Sequence, residues 1–213
     1  MKFEEFSSKS SKLKKISLPG EHAHYKLAPL FRLQELEKEE RKKIEPRHAA
    51  VMAVFYPDNK GLVRFVLILR KTYRGVHSNQ VAFPGGRVEK EDRDLAHTAL
   101  RETEEEVGIP QQEIKVLKEM TSIYIPPSNF WVRPYIGLMR RTPNLVPQEE
   151  EVEDIIEVNL DDFLSDSCMT SHTLHTPYTG DIEVPAFLLN GHIVWGATAM
   201  MLNEMKELLK EVL

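Results

Sequence analysis

Between Phe83 and Ile109 the chain reads FPGGRVEKEDRDLAHTALRETEEEVGI, and no other stretch restricts the fold so tightly. A Pro-Gly-Gly turn leads into an acidic entry, Glu91, Asp92 and Asp94. Such residues cap a helix N-terminus and favour the positive end of its dipole. Gly108 followed by Pro110 ends the helix, so the pattern predicts a helix from Asp94 to Val107. Glu102, Glu105 and Glu106 then share one narrow face, being related as i, i+3 and i+4. Ala96, Ala99, Leu100, Thr103 and Val107 fall on an adjoining face that packs inward.

Like charges at these spacings cost a helix roughly 0.2–0.5 kcal/mol per pair. A run of Glu on a helix is commonly just a solvated acidic face, and spacing alone leaves that reading open. Yet no Lys is interspersed, and three carboxylates converge at the edge of an apolar face. That arrangement suits a hard divalent cation, Mg²⁺ or Mn²⁺, which prefers oxygen ligands. Arg101 stands one turn before Glu105, placed to neutralise or orient a carboxylate.

The order Gly86-x5-Asp92-x8-Arg101-Glu102-x-x-Glu105-Glu106-x-Gly108-Ile109 resembles the Nudix box, G-x5-E-x7-R-E-U-x-E-E-x-G-U with U apolar. RETEEEVGI matches except for Thr103 at an apolar position; Asp92 stands in place of Glu, and one extra residue precedes Arg101. The resemblance implies an α/β fold, an α/β/α sandwich with a mixed β-sheet. It also implies hydrolysis, with Mg²⁺ or Mn²⁺, of a nucleoside diphosphate linked to another moiety. A pyrophosphate is densely anionic, so its hydrolysis calls for cations at its oxygens and an activated water. Carried over residue by residue, Glu102 and Glu106 are metal ligands and Glu105 is a third ligand or a base. Arg101 neutralises or orients one of these carboxylates, and the carbonyl of Gly85 reaches the metal. Some family members draw a base or further ligand from a late loop acid. Glu151 is the candidate, with Glu150 and Glu153 as rivals and an ordinary surface acid as an equal alternative.

The preceding stretch, LILRKTYRGVHSNQVAFPGG, is similar to the pattern L-L-T-x-R-[SA]-x3-R-x3-G-x3-F-P-G-G of the coenzyme A pyrophosphatase subgroup. Arg70 and Phe83-Pro84-Gly85-Gly86 match. Gly75 stands where the second Arg belongs, with Arg74 adjacent; Asn79 replaces the Gly and Lys71 the small residue. Leu18-Pro19-Gly20, Ile125-Pro126-Pro127-Ser128 and Ile193-Val194-Trp195-Gly196-Ala197-Thr198-Ala199 also look like this subgroup. The resemblance implies a CoA-like nucleotide substrate, with CoA and water giving 3′,5′-ADP and 4′-phosphopantetheine. Arg70, Arg74 and Arg133 would pair with its phosphates, and Phe83 and Gly86 would lie against it. Each of these arginines reads equally as a surface salt bridge. Trp195 is expected in the core, and His77 as a solvated loop residue. The changes at 75 and 79 keep ADP-ribose, NADH or a nucleotide sugar open as substrates. The altered first half of the box keeps open a catalytically weak nucleotide-binding module, against which the intact Glu102, Glu105 and Glu106 weigh.

A net charge of −5 and a pI of about 5.9 argue against nucleic acid as the main partner. The lone Cys168 excludes an intrachain disulfide and fits a reducing cytoplasm. No stretch approaches 18 apolar residues, so no membrane span is expected. Residues 46–213 are expected as the hydrolase domain and 1–45 as an extension packed on it. The Ser/Lys-rich residues 1–18 read as a short helix or mobile arm, and an exposed arm would suit a homodimer. Arg32–Lys43 reads as a solvated helix. His48–Tyr56 and Leu62–Leu69 read as buried strands, Ile114–Ile125 as one strand, and Phe130–Met139 as an edge or bulged strand because of Pro134. Val152–Val158 reads as a further strand, Asn190-Gly191 as a type I′ hairpin turn, and Thr198–Val212 as an amphipathic closing helix.

Overall fold

A computed structural model of the protein describes residues 1–29, 45–72, 79–176 and 180–213. The helix expected over Arg32–Lys43, and Arg74, Gly75 and His77, lie outside the described residues. In chain order the elements are α1 (Phe3–Ser10), α2 (Glu21–Lys26), β1 (Arg47–Pro57), β2 (Val63–Arg70), β3 (Val81–Ala82), β4 (Gly85–Arg87) and α3 (Leu95–Val107). They continue with β5 (Lys115–Glu119), β6 (Ile123–Ile125), β7 (Phe130–Leu138), β8 (Val152–Asn159), α4 (Leu160–Leu164), β9 (Met169–Thr176), β10 (Gly180–Leu189), β11 (His192–Trp195) and α5 (Gly196–Val212).

The main sheet runs β3-β2-β1-β7-β5, with β4 added to β1, β6 to β7 and β8 to β2. It is mixed, because β1 and β7 are parallel while the other pairs are antiparallel. The near-continuous apolar run of β1 serves both faces. Ala50, Met52, Val54 and Tyr56 pack with Ala99 and Val107 of α3, and Ala53 and Phe55 pack with Met201, Met205 and Leu208 of α5. Helices on both faces of a mixed sheet make the expected α/β/α sandwich. A smaller sheet, β11-β10-β9, flanks it. A chain of rings, Phe6–Phe55–Phe65–Phe163–Phe187, at centroid spacings of 5.0 to 5.8 Å, ties α1 and the small sheet to the main one.

Three expectations are corrected by this architecture. The first concerns Pro134, which predicted an edge or bulged strand; the ladder does shift register opposite, between Val116 and Lys118 of β5, but the edge reading fails. β7 instead lies inside the sheet, between β1 and β5. The Pro134 carbonyl accepts from Met120 N–H on the side where β5 gives way to β6. In a strand a residue's N–H and C=O point to the same side, so the missing donor falls at that break and the ladder to β1 is unharmed. For the same reason Ile114–Ile125 is two short strands, not one.

Second, the N-terminal arm is not exposed: Phe3, Phe6 and Leu13 are buried in the main core. The argument for a homodimer from a free arm therefore falls away. Third, α5 is not a one-sided amphipathic helix. Asn203, Glu204 and Lys206 on its polar side are also buried, Glu204 completely. Glu204 accepts from Gly20 N–H and Thr121 N–H and faces His24 Nε2 at 3.2 Å; Asn203 donates to Ala23 O. β9, for which the sequence pattern gave no expectation, pairs with β10 along its whole length. Among the described residues no helix is long and apolar enough to cross a membrane.

Candidate active site

The site is built where β4 meets the side of α3. Asp94 caps α3 by accepting from His97 N–H at 2.7 Å, and Gly108 closes it at φ 74°, as its sequence requires. β4 pairs with β1 so that Gly85 lies opposite Val51, Gly86 opposite Ala50 and Arg87 opposite Ala49. This pairing presses the two glycines against the acidic helix. A Cβ on Gly86 would run into the Glu102 carboxylate, and one on Gly85, at φ 152°, would strike Ala50 O and Val51. The close approach lets Gly85 N–H donate to Glu106 Oε2 at 2.7 Å.

Glu106 is 3% exposed. Its second oxygen, Oε1, has no hydrogen bond among the described residues and faces Arg70 Nη1 at 3.5 Å. Burial pushes this carboxyl up to about 8, against the opposing pull of Gly85 N–H and the Arg70 guanidinium. The neighbouring Glu102 and Glu151 add to the upward push. Glu102 is also raised, again chiefly by burial, with Arg101 opposing.

Arg101 is the hub on the other side. Its Nε and Nη2 donate to the two oxygens of Asp92 at 3.0 Å each, a bidentate pair. Its Nη1 reaches Glu105 Oε2 at 2.9 Å and Glu102 Oε1 at 3.0 Å, and Nη2 also reaches Arg87 O. Asp92 further accepts from Glu89 N–H and the Thr98 hydroxyl and faces His97 Nδ1. The Arg101 guanidinium beside Asp92 holds its carboxyl well below the usual carboxylate range. Asp92, where the box pattern has Glu, is thus the anchor of Arg101.

Glu102, Glu105, Arg101, Gly85 and Gly86 form one wall of a cavity of about 820 Å³. Phe83, Arg70 and Glu151 line it too, whereas neither Glu150 nor Glu153 does. Glu151 Oε2 stands 3.9 Å from Arg70 Nη2, so Arg70 lies between Glu106 and Glu151. Apolar side chains from β1, β6, β7 and α5 (Val51, Ile125, Val132, Met201) close the rest. Two expectations change. Arg133 is on the face opposite Phe130 and Val132, with its guanidinium engaged by Glu119, and does not line the cavity. Trp195 is not core; it is half-buried and lines the cavity ahead of the first turn of α5. Sequence reasoning missed Arg47 and Arg87 in the lining. The signal for Arg47 was its position at the start of a strand whose every second residue faces the cavity.

Among the described residues no three His, Cys, Asp or Glu side chains converge as a ready metal cage, since Arg101 draws Glu105 and one oxygen of Glu102 to itself. The donors nonetheless fit a hard divalent cation. They are all oxygen, and Glu106 Oε1 is a buried acceptor without a hydrogen-bond donor. The structure brings together Glu102, Glu106 and the Gly85-Gly86 backbone, and leaves Glu105, about half exposed, on Arg101.

A profile of the NUDIX domain matches residues 46–174. The chain belongs to the Nudix family. It is 33% identical over 162 residues to "Uncharacterized Nudix hydrolase NudL" of Photorhabdus laumondii, covering 76% of this chain and 84% of that one. It is 29% identical over 173 residues to "Nudix hydrolase 15, mitochondrial" of Arabidopsis thaliana, covering 75% and 58%. Among solved structures, a Nudix hydrolase from M. smegmatis, RenU, superposes with a TM-score of 0.54 at 15% identity, over 82% of this chain and 93% of that one. A MutT/nudix family protein from Enterococcus faecalis does so at 0.50 and 19% identity, over 92% and 75%. These superpositions establish the Nudix fold. Membership makes the chain a Nudix hydrolase, of a family that acts on nucleoside diphosphate derivatives and generally uses divalent metals.

Proposed function

We propose that this Nudix hydrolase cleaves the pyrophosphate bond of coenzyme A or an acyl-CoA, with Mg²⁺ or Mn²⁺, to 3′,5′-ADP and 4′-phosphopantetheine or its acyl derivative. The observation that carries the hydrolytic reading is Glu106. It is a buried carboxylate with one oxygen unpaired, set behind Gly85 and Arg70, which with Glu102 line a cavity large enough for a nucleotide derivative. Glu102 and Glu106 would hold the cation, with the Gly85 backbone beside them and Glu105 as a further ligand or the base. When bound, the cation supplies positive charge to the bridging oxygens and favours ionisation of the attacking water. Glu105 and Glu151, both in the cavity lining, are the candidates to take that proton. Arg101, fixed by Asp92, orients Glu102 and Glu105. Arg70 neutralises Glu106 and Glu151 and turns to a substrate phosphate, joined by Arg74; Phe83 and Gly86 shape the floor. The same reading takes residues 46–213 as the hydrolase domain and 1–45 as its packed extension, working in a reducing cytoplasm.

Two observations favour CoA over ADP-ribose, NADH or a nucleotide sugar. The cavity is lined on one side by Val51, Ile125, Val132 and Met201, suited to a pantetheine or acyl chain. Asn79, which replaces the subgroup's glycine, sits at φ 55°, a left-handed conformation that Asn tolerates, so the backbone there keeps a glycine-like shape.

The test is product analysis after incubation with CoA and, separately, ADP-ribose, each with Mg²⁺ or Mn²⁺. Appearance of 3′,5′-ADP is the expected result, and faster cleavage of ADP-ribose would defeat the CoA reading. Glu106→Gln should lower turnover at least about 100-fold, the equivalent of ~2.7 kcal/mol of barrier, with an unchanged circular dichroism spectrum. An unaltered rate would remove Glu106 from the metal site.

A further inference from the structure

The cavity adjoins a second groove of about 580 Å³, and the residues common to both are Arg47, Arg87 and Phe130. Strand register explains why they stand together. Arg47 pairs with Phe130 and Ala49 with Val132 across β1 and β7, and Ala49 pairs with Arg87 across β1 and β4. Paired residues share a face, so all five point to the cavity side. At ~3.3 Å per residue, Arg87 is ~7 Å along β4 from Gly85 and Arg47 is ~13 Å along β1 from Val51. The two arginines therefore lie beyond the carboxylates, further from the bond to be broken.

Both are exposed, and among the described residues both lack carboxylate partners. The described arginines that form ion pairs are Arg64, Arg70, Arg101, Arg133 and Arg141. Among the described residues Arg47, Arg87, Arg93 and Arg140 form none, and the first three line the groove. Arg47 is nevertheless oriented: its guanidinium carbon lies 4.1 Å from the Phe130 ring centre, and Nη2 donates to Ser128 O at 3.2 Å. That uses one of its five N–H donors. The acids nearby do not cancel this charge. Both oxygens of Asp92 are taken by Arg101, and Asp94 caps α3; of the cavity's other acids Glu102 and Glu105 meet Arg101 and Glu151 faces Arg70, which leaves Glu89 as the lining acid without an ion pair among the described residues.

We propose that Arg47 and Arg87 bind a phosphomonoester of the substrate, separate from the pyrophosphate that is cleaved, and so select nucleotides carrying a second phosphate on the ribose. An Arg stacked on a ring and facing solvent is built for bidentate phosphate recognition. This inference rests on the pyrophosphatase reading above and names the group that would set its substrate choice.

The experiment compares kcat/KM for CoA and for dephospho-CoA, which lacks the ribose phosphate, in the wild type, Arg47→Ala, Arg87→Ala and Arg47→Lys. The wild type should prefer CoA. Each alanine variant should reduce that preference at least about tenfold, mainly through KM, and Arg47→Lys should restore part of it. Equal rates on the two substrates in the wild type, or equal losses on both in the variants, would overturn the proposal. If neither is cleaved while ADP-ribose is, the CoA reading fails, and the anion site is then decided by calorimetric titration. Wild-type preference for adenosine 3′,5′-bisphosphate over 5′-AMP, lost in Arg47→Ala and Arg87→Ala, upholds the site; equal affinities refute it.

Discussion

In the metal-free protein the ionisation of Glu106 should set a pH dependence of stability that runs opposite to the usual carboxylate. Its folded carboxyl is pushed up to about 8, while an unfolded Glu ionises near 4.3. Between these values the folded state holds a proton that the unfolded state has released. Stability from this group therefore falls as pH rises, by up to about 1.4 kcal/mol per pH unit. From pH 5 to pH 8 the ceiling is about 4 kcal/mol, levelling off above 8. Glu106→Gln removes the titration while keeping an acceptor for Gly85 N–H at the same place. The assay is urea unfolding of both proteins in EDTA at steps from pH 5 to 9, read as the difference between them so that other groups cancel. The variant should gain on the wild type steadily up to pH 8. Saturating Mg²⁺ should reverse the order, because it favours the ionised carboxylate of the wild type, and its binding at pH 7 should release a proton. A wild-type minus variant difference that stays flat with pH would refute the claim that burial governs this carboxyl.

Other perturbations separate the parts of the site. Asp92→Asn strips the bidentate acceptor from Arg101 and should cost about 2–4 kcal/mol at neutral pH. Since the folded Asp92 carboxyl lies below its unfolded value, that difference is present above about pH 4 and fades as pH falls below it; equal urea midpoints at pH 6 would contradict the anchoring role. Gly86→Ala and Gly85→Ala should fail differently. The first displaces only the mobile end of Glu102, so activity should drop while the melting temperature holds. The second meets Ala50 O and Val51 at positive φ, so the fold should lose about 3 kcal/mol or more; equal melting temperatures for the two variants would refute that distinction. Glu204→Ala leaves His24, Thr121 and Gly20 without their common buried acceptor, and hydrogen exchange over residues 18–28 should quicken well before the sheet's; uniform quickening would show that the cluster is not a local clasp.

The box helix was legible because every signal in it is local: cap, period and glycine stop lie within Phe83–Ile109. The same holds for β1 and β2, and for Asn190-Gly191, whose two positive φ values suit a type I′ turn. What was misread depended on partners far along the chain. Pro134 marks an edge only if its missing donor has nowhere else to fall, and the β5–β6 break supplies that place. Glu204 looks solvated until His24, 180 residues away, is laid against it. Arg133 and Arg47 are indistinguishable by composition; only the register of β7 against β1 puts one away from the cavity and the other on it.

The three box glutamates are each held by something that a divalent cation could replace, which is why a run that burdens an isolated helix is tolerated here. Glu105 and Glu102 share Arg101 Nη1, while Glu106 keeps a proton and one backbone donor. Arg101 itself does not depend on them, since Nε and Nη2 are fixed by Asp92. Glu102 can therefore leave Arg101 without loosening it, and Glu106 can lose its proton without losing Gly85 N–H. On this account Asp92 is no weakened box position. It stands outside the helix, before the Asp94 cap, and grips the guanidinium at two nitrogens. Lengthening it by Asp92→Glu, with the extra residue kept, should disturb that grip and lower turnover; full activity in that variant would show that the grip tolerates either length.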